Sequence, residues 1–315
     1  MKKISLVLII QLLVLFSKST YADDCRTLRG TAEGSSFFGQ DFSNADWSDG
    51  DYSRKDFGMS NFTDASFSKS TLISTNLVSS LFYRTNLSSA KLSYANLSAA
   101  TIICSNLVGS KLRKTIFAGT QIIHSDFTNA DLRDAKFRVD IQGYESSITN
   151  IERSKFESAN LSDLDLSNVA FDGPSIFRSA NLSRTNLSGL WLSKSNFDNA
   201  ILVDSDASNS RIRDSIFLNA DLSNTNLTGS YLQHSDFTDA KMVNANLSGA
   251  ILRNATLVNA NLSNANLEGA DLSNVDLSGA NLSGANLRNA KYTSKTNFPG
   301  MDLFFDKSAL VYMGK

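Results

Sequence analysis

Histidine and cysteine are the side chains that most often supply a general base, a nucleophile or a metal ligand near neutral pH. The 315-residue chain holds two of each, namely His124, His234, Cys25 and Cys104. They are scattered along the chain and show none of the short Cys/His spacings that bind zinc. The sequence therefore predicts no catalytic set, no metal site and no cofactor, and we expect a protein that is not an enzyme.

Any functional side chain must be positioned by a pattern with a period of five residues. From Phe37 to Tyr292, with one interruption, an apolar residue returns at every fifth position, as in residues 260–269, which read ANLSNANLEG. A helix has a period of 3.6 residues and a strand a period of two, so neither explains this spacing. A short fixed period predicts a solenoid in which each repeat packs on its neighbours.

The recurring order of a small residue, Asn or Asp, an apolar residue and then Ser, Thr or Arg resembles the pentapeptide-repeat family over roughly 80% of the chain. The resemblance implies an all-β fold, a right-handed quadrilateral β-helix with four repeats per coil. We expect one elongated domain over residues 37–292 with the apolar residues in its core. The resemblance is specific for the fold and carries no function by itself.

The period is interrupted near residues 138–176, where the core residues fall one position early. Phe171 and Phe177 enclose residues 172–174, Asp-Gly-Pro, a turn sequence that can bulge out an extra residue. The earlier break, at residues 139–150, is the better candidate for a projecting loop, although a simple repair of the repeat is the preferred interpretation.

Winding the chain at four repeats per coil places basic side chains above one another on one face. Aspartates are interspersed there, so salt bridges along the face are the simpler interpretation. The alternative is a track for an anionic partner, such as a surface glycan, a lipid head group or an acidic protein, because arginine binds carboxylate and phosphate groups well. The candidate residues are Arg113, Arg133, Arg153, Arg213, Arg253, Lys91 and Lys111.

A second face carries apolar side chains at outward positions where Ser or Thr is usual. A broken apolar stripe of this kind suggests a contact surface. Its members are Tyr83, Ile103, Ile123, Val203 and Val243. A third face is flat and neutral and presents Asn86, Asn106, Asn186, Asn226, Asn246, Asn266 and Asn286.

Residues 1–22 have the composition of a secretory signal peptide. Two lysines precede an apolar run from Ile4 to Phe16, and small or polar residues follow up to Ala22. The run is shorter than the about 20 residues that span a bilayer, so a membrane anchor is the lesser alternative. We expect cleavage after Ala22 and an exported, periplasmic or secreted protein, with residues 23–36 as an N-terminal cap segment.

Export would also permit a disulfide between Cys25 and Cys104. Cys104 follows a core residue by two positions and should face outward. Cys25 belongs to the segment before the first repeat. The bond therefore depends on how that segment folds back, and an unpaired state remains the alternative.

After Tyr292 the repeat stops, and residues 293–315 should cap the last coil. Asp306 can begin a short helix there. A cap is needed because an open coil exposes unpaired backbone groups and apolar surface. Proteins of the family that the chain resembles often dimerise through this end, so the resemblance implies a C-terminal homodimer as an alternative to plain capping.

The net charge of −1 describes neither a polyanion nor a polycation. We expect a non-enzymatic exported scaffold that binds an unidentified protein or an anionic envelope component through one face of the β-helix. The alternative is a secreted effector that acts on a host protein or membrane. Some similar proteins mimic DNA to inhibit or protect type II topoisomerases, but that activity needs a strongly acidic cytoplasmic rod. Nucleic acid is therefore not favoured as a partner.

Overall fold

The computed structural model describes residues 28–29, 36–138, 148–300 and 310–314, and these form a β-helix solenoid without a helical segment. The predicted fold is thus confirmed. All paired strands are parallel. They are β1 (Leu28–Arg29), β2 (Ala45–Asp46), β3 (Leu81–Tyr83), β4 (Thr101–Ile103), β5 (Gln121–Ile123), β6 (Thr149–Glu152), β7 (Val169–Asp172), β8 (Lys291–Tyr292) and β9 (Val311–Tyr312).

Each pentapeptide forms one side of a four-sided coil, and its five residues have fixed roles. In the repeat at 260–264, Ala260 is the small position, Asn261 the ladder position, Leu262 the core position, Ser263 the outer position and Asn264 the turn position. Ladder residues of neighbouring coils pair along the axis of the solenoid. Hydrogen-bonded neighbours in regular coils are 20 residues apart in sequence, which corresponds to four repeats per coil.

The turn position explains why Asn, Asp and Gly are so frequent in the chain. Its backbone is left-handed, with φ of 57° at Asn264 and 67° at Gly269, a conformation that these residues adopt most readily. The corner is held by two further bonds. The Ser263 amide donates to Oδ1 of Asn261 at 3.1 Å, and the Ala265 amide donates to the Leu262 carbonyl at 3.0 Å.

The interior consists of core and small positions, which are almost completely buried. Many polar residues at the small position are satisfied internally, as where the Thr225 hydroxyl donates to the Leu202 carbonyl at 2.7 Å, whereas the buried hydroxyls of Ser110, Ser175 and Ser205 have no hydrogen-bond partner. Aromatic core residues stack along the axis. The ring centroids of Phe177 and Phe197 are 4.9 Å apart, and those of Phe197, Phe217 and Phe237 follow at 4.7 Å steps. Each such pair adds about 0.5–1.5 kcal/mol to the benefit of burial.

Four faces follow one another around each coil. Face 1 contains β3 to β7 and continues through the ladder residues Trp191, Arg211 and Tyr231. Face 2, with the ladder residues Asn86 and Asn106, comes next along the chain. Face 3, which lies opposite face 1, contains the ladder residues Lys111 and Asp131. Face 4, with the ladder residues Asn226 and Asn246, completes the coil.

The step between coils changes at residues 139–147. Ile122 of β5 pairs with Ile151 of β6, and the hydrogen bond between Ser125 and Ser154 spans 29 residues instead of 20. After this segment the coils again follow one another regularly. The residue numbers found on each face are offset, however, from the 20-residue series of the earlier coils.

A second change follows β7. The backbone of Gly173 is left-handed, with φ of 81°, so this residue takes the turn position. Asp165 and Asn186, in neighbouring coils, are 21 residues apart. One residue, Pro174, is therefore extra between the turn position and Ser175. The predicted bulge at residues 172–174 is confirmed.

Both ends of the chain include residues that the structure does not describe. Val311 and Tyr312 lie in the segment where the sequence allowed a helix, but they form β9, which adds a strand to β8. Val311, Tyr312 and Met313 are 41%, 54% and 51% exposed. The homodimer through this segment stays a prediction. Outside the described residues lie the signal peptide (1–22), Cys25, most of the cap segment 23–36, most of the predicted loop at 139–150, and Asp306.

Candidate binding face

The predicted column of basic residues is divided between two opposite faces. Arg113 and Arg133 occupy outer positions of face 3. Arg213 and Arg253 occupy outer positions of face 1, and Arg153 occupies a turn position there. The expectation of a single column is wrong, because the ladder advances by 29 and 21 residues instead of 20 between the two groups.

The arginines of face 3 are compensated by neighbouring carboxylates. Arg113 lies 2.9 Å from Asp134, and Arg133 lies 2.8 Å from Asp131. The hydrogen bonds that Arg133 donates hold the pKa of Asp131 below its usual value. Salt bridging, the simpler interpretation, therefore describes this group. The two lysines predicted with it are exposed at ladder positions of the same face, Lys91 and Lys111.

The predicted apolar stripe is divided in the same way. Tyr83, Ile103 and Ile123 occupy outer positions of β3, β4 and β5, where they lie beside one another and are half-buried on face 1. Val203 and Val243 lie on face 3, in the column of Arg113 and Arg133. The asparagine face is also split, with Asn86 and Asn106 on face 2 and the later members on face 4.

A column of aromatic and basic side chains lies on the C-terminal half of face 1. Trp191, Arg211 and Tyr231 occupy consecutive ladder positions. The Arg211 guanidinium lies over both rings, 4.4 Å from the centroid of Trp191 and 5.6 Å from that of Tyr231. Arg213 contacts the same tyrosine ring at 5.3 Å. We call these four residues the aromatic column. Trp191 is 62% exposed, so the column projects into solvent.

The guanidinium groups of the aromatic column differ from most others in their ion pairing. Among the described residues, Arg211 and Arg213 have no carboxylate within salt-bridge distance, whereas the neighbouring Arg253 lies 2.6 Å from Asp271. Arg153 is also without such a partner there. Six further arginines pair with Asp or Glu, namely Arg84, Arg113, Arg133, Arg178, Arg184 and Arg288. Arg211 and Arg213 are thus not neutralised by direct ion pairs, although Asp172 and Asp214 lie on the same face.

The ladder is interrupted beside Trp191. Leu192 donates to the Arg211 carbonyl at 2.8 Å, but within the described residues no backbone hydrogen bond joins β7 to Trp191 on this face. The residue of β7 at the ladder position is the small, exposed Ala170. Because Arg211 covers one side of the indole ring, the other side points toward Ala170. Ala170, Gly173 and Trp191 thus mark the place on face 1 where the ladder is interrupted, and we call this place the notch.

Two more basic side chains, those of Arg153 and Lys194, lie beside this notch. An added Cβ at Gly173 would lie 3.0 Å from Cγ and Nε of Arg153, so the Arg153 side chain lies across that glycine. Lys194 is the next turn-position residue of face 1 and is exposed. With Arg211 behind the indole ring, the notch has basic groups on three sides.

The histidines and cysteines do not assemble into a common site in the described part of the chain. Cys104 is exposed and its thiol is free. His124 lies 3.9 Å from Glu152 across neighbouring coils, while His234 is far along the solenoid. No group of His, Cys, Asp or Glu among the described residues could hold a metal ion. The same residues include no helix with the length and apolarity needed to cross a membrane.

Sequence reasoning missed Trp191 and Tyr231 as candidate functional residues. Their position in the repeat could have identified them, because ladder residues are usually Asn or Asp and an aromatic residue there is a departure from the pattern. Arg211 was also not among the candidate residues of the predicted basic column. The position of Arg211 between two aromatic rings depends on which residues lie next to it on the neighbouring coils. The pairing of ladder residues in the structure was needed to show this.

Comparison with known proteins agrees with this architecture. The chain matches the model "Pentapeptide repeats" at residues 60–98, 80–119, 104–138 and 255–291, and the model "Pentapeptide repeat region" at residues 190–267. Together these matches extend over more than half of the chain. The protein belongs to the pentapeptide-repeat family. No curated protein sequence matches it.

Several solved structures are similar to the chain. HetL, a pentapeptide repeat protein involved in heterocyst differentiation regulation from the cyanobacterium Nostoc sp. PCC 7120, is 25% identical, with 79% of this chain and 86% of HetL covered and a TM-score of 0.31. Another pentapeptide repeat protein from Nostoc PCC 7120 is 36% identical over 32% of this chain and 84% of its own, with a TM-score of 0.31. QnrB1, a plasmid-mediated fluoroquinolone resistance protein, is 17% identical over 68% of this chain and 92% of its own, with a TM-score of 0.29.

Proposed function

We propose that the protein is a non-enzymatic scaffold that binds another macromolecule through face 1 of its β-helix. The supporting observation is the aromatic column, in which two arginines without carboxylate partners are held against an exposed tryptophan and a half-buried tyrosine. Trp, Tyr and Arg are the residue types that contribute most to binding energy at protein interfaces.

The rest of face 1 supports the same proposal. Its N-terminal half carries the half-buried Tyr83, Ile103 and Ile123 in register on three adjacent strands. The two halves form a long surface with an apolar part and a basic aromatic part. Such a surface suits an extended partner that is recognised by side chains. The backbone groups of the Arg211 and Tyr231 coils are already engaged between coils.

We also propose export, on the basis of the basic and apolar composition of residues 1–22. The partner would then be an envelope or extracellular component. Mimicry of DNA is not proposed. The likeness to QnrB1 concerns the fold alone. The net charge of the chain is −1, which is not that of a polyanion.

A comparison of two matched surface variants tests the role of face 1. The first combines Trp191→Ala, Arg211→Glu and Arg213→Glu. The control on face 3 combines Tyr94→Ala, Lys91→Glu and Lys111→Glu, and so also removes one exposed aromatic residue and reverses two cations.

Each variant and the wild type are immobilised and exposed to an envelope extract of the source cells, and captured material is quantified. We expect capture of the specific partner to fall about tenfold or more in the face 1 variant and to persist in the control. Equal capture by the two variants would contradict the proposal.

A further inference from the structure

The notch in face 1 has the features of a ligand site. We infer that it binds an acidic oligosaccharide, with one sugar ring stacked on the free side of Trp191 and its carboxylate bound by Arg153 and Lys194, while Arg211 on the other side of the indole binds the carboxylate of an adjoining sugar. This inference rests on the proposed function, since it names the chemistry of the partner that face 1 recognises.

The first support is the open side of the indole ring. Arg211 lies 4.4 Å from its centroid on one side, and the exposed Ala170 leaves room on the other. Elsewhere in the column each ring or guanidinium has a long side chain on the next coil. Coils are about 4.8 Å apart, and the interrupted ladder removes the backbone bonds that would hold the two coils together here. A flat ring can therefore extend the stack beyond Trp191.

The second support is the distribution of charge. Arg153 and Arg211 have no carboxylate partner among the described residues, so their planar edges remain available to an anion. Acidic groups are also close in the chain: Asp172 precedes Gly173, and Asp214 follows Arg213. The site can thus neutralise one or two isolated negative charges, while a dense row of charges along face 1 would meet these carboxylates.

This distribution favours an acidic glycan over a nucleic acid. A single-stranded nucleic acid carries a phosphate at every nucleotide, and its affinity arises largely from neutralising several of them. A uronic acid carries one carboxylate on a ring whose C–H face can stack on indole. An oligosaccharide of such rings presents fewer charges for each stacked unit.

The geometry also disfavours an acidic peptide. A peptide strand added to the interrupted ladder would run parallel to β7, across the solenoid axis. It could contact Trp191 but would pass by Arg211 and Tyr231, which follow along the axis. A glycan that lies along the axis can contact the notch and the aromatic column together.

Titration of the full-length protein with trigalacturonic acid tests the inference. Trp47 is only 2% exposed and Trp191 is 62% exposed, so a change in tryptophan fluorescence reports mainly on the notch. Calorimetry provides an independent affinity. The matched neutral ligand is a galactose trisaccharide, and the competing ligands are oligothymidylate and oligoglutamate.

We expect saturable binding of trigalacturonic acid, weakened about tenfold or more by Trp191→Ala and by the pair Arg153→Gln and Arg211→Gln. Arg184→Gln is the control, because Arg184 is paired with Asp163 on face 3, and it should leave the affinity unchanged. The circular dichroism spectrum and melting temperature of each variant show whether it is folded.

Absence of saturable binding to the folded wild type would overturn the inference. So would equal binding of the neutral trisaccharide, or tighter binding of oligothymidylate or oligoglutamate. If trigalacturonic acid fails while the face 1 variant still loses its captured partner, the proposed function stands and the glycan assignment falls. If both variants capture equally, the proposed function itself falls.

Discussion

The ladder position shows how one position of the repeat can serve either the fold or a binding partner, depending on which residue occupies it. Asn and Asp at this position accept a hydrogen bond from the amide of the outer residue, as Asn226 does from Thr228 at 3.2 Å. Tryptophan and arginine have no acceptor atom, and the hydroxyl oxygen of tyrosine lies too far from the backbone to accept this bond. Trp191, Arg211 and Tyr231 therefore lack a bond that Asn and Asp ladder residues make, as do Ala170 and Ile251 on the adjoining coils of face 1. This loss is understandable if their side chains bind something outside the chain.

Replacement of Tyr231 by Asn distinguishes a functional from a structural role. The new amide can accept the bond from the Gln233 amide, which is worth about 0.5–1.5 kcal/mol. We therefore expect Tyr231→Asn to keep or raise the melting temperature measured by circular dichroism, while it weakens binding at face 1. The neighbouring core variant Leu232→Ala should lose about 2–5 kcal/mol of stability. A similar loss in Tyr231→Asn would show that the tyrosine is structural.

The sequence was sufficient to assign most residues to their positions in the repeat. The period alone identified core residues such as Phe217 and turn residues such as Asn264, because each position has a distinct steric and hydrogen-bonding requirement. It could not identify the partners of exposed side chains. Arg133 is paired with a carboxylate and Arg213 is not, although both occupy outer positions, and the difference arises from their neighbours on adjacent coils.

Among the elements, the interruption at residues 139–147 decides which columns exist. A solenoid transmits register from coil to coil, so a segment outside the repeat changes which face every later residue joins. The sequence showed that the period was broken there. It did not show how many residues separate neighbouring coils there, because this part of the sequence lacks the repeat pattern. Arg113 and Arg213 were for this reason expected in one column and lie on opposite faces.

Pro174 provides a test of this view of register. Gly173 already takes the turn position, and Pro174 is the extra residue before Ser175. Its deletion restores the five-residue spacing between Phe171 and Phe177. We expect the deletion variant to fold with a melting temperature close to that of the wild type.

Deletion of Ser208, in a regular coil, is the matched control. It should strongly destabilise the protein, because the register change directs polar residues into the core. Both variants are compared by thermal unfolding followed with circular dichroism. Equal destabilisation by the two deletions would show that Pro174 belongs to the regular coil.

At the level of the whole molecule, the β-helix is a rod whose four sides have different surfaces. Face 3 has arginines neutralised by nearby carboxylates. Face 4 has ladder asparagines that bond to one another, as Asn286 does to Asn266 at 3.0 Å. Face 1 combines an apolar half with a basic aromatic half. This difference between the faces supports binding along one face. Such binding does not depend on what the C-terminal strand β9 contacts.

Hydroxyl-radical footprinting of the protein with and without its captured partner tests this view most directly. Three exposed aromatic residues serve as reporters: Trp191 on face 1, Tyr94 on face 3 and Tyr312 at the C-terminal end, which are 62%, 56% and 54% exposed. We expect the partner to protect Trp191 from oxidation and to leave Tyr94 and Tyr312 unchanged. Protection of Tyr94 or Tyr312, with Trp191 still reactive, would contradict binding through face 1.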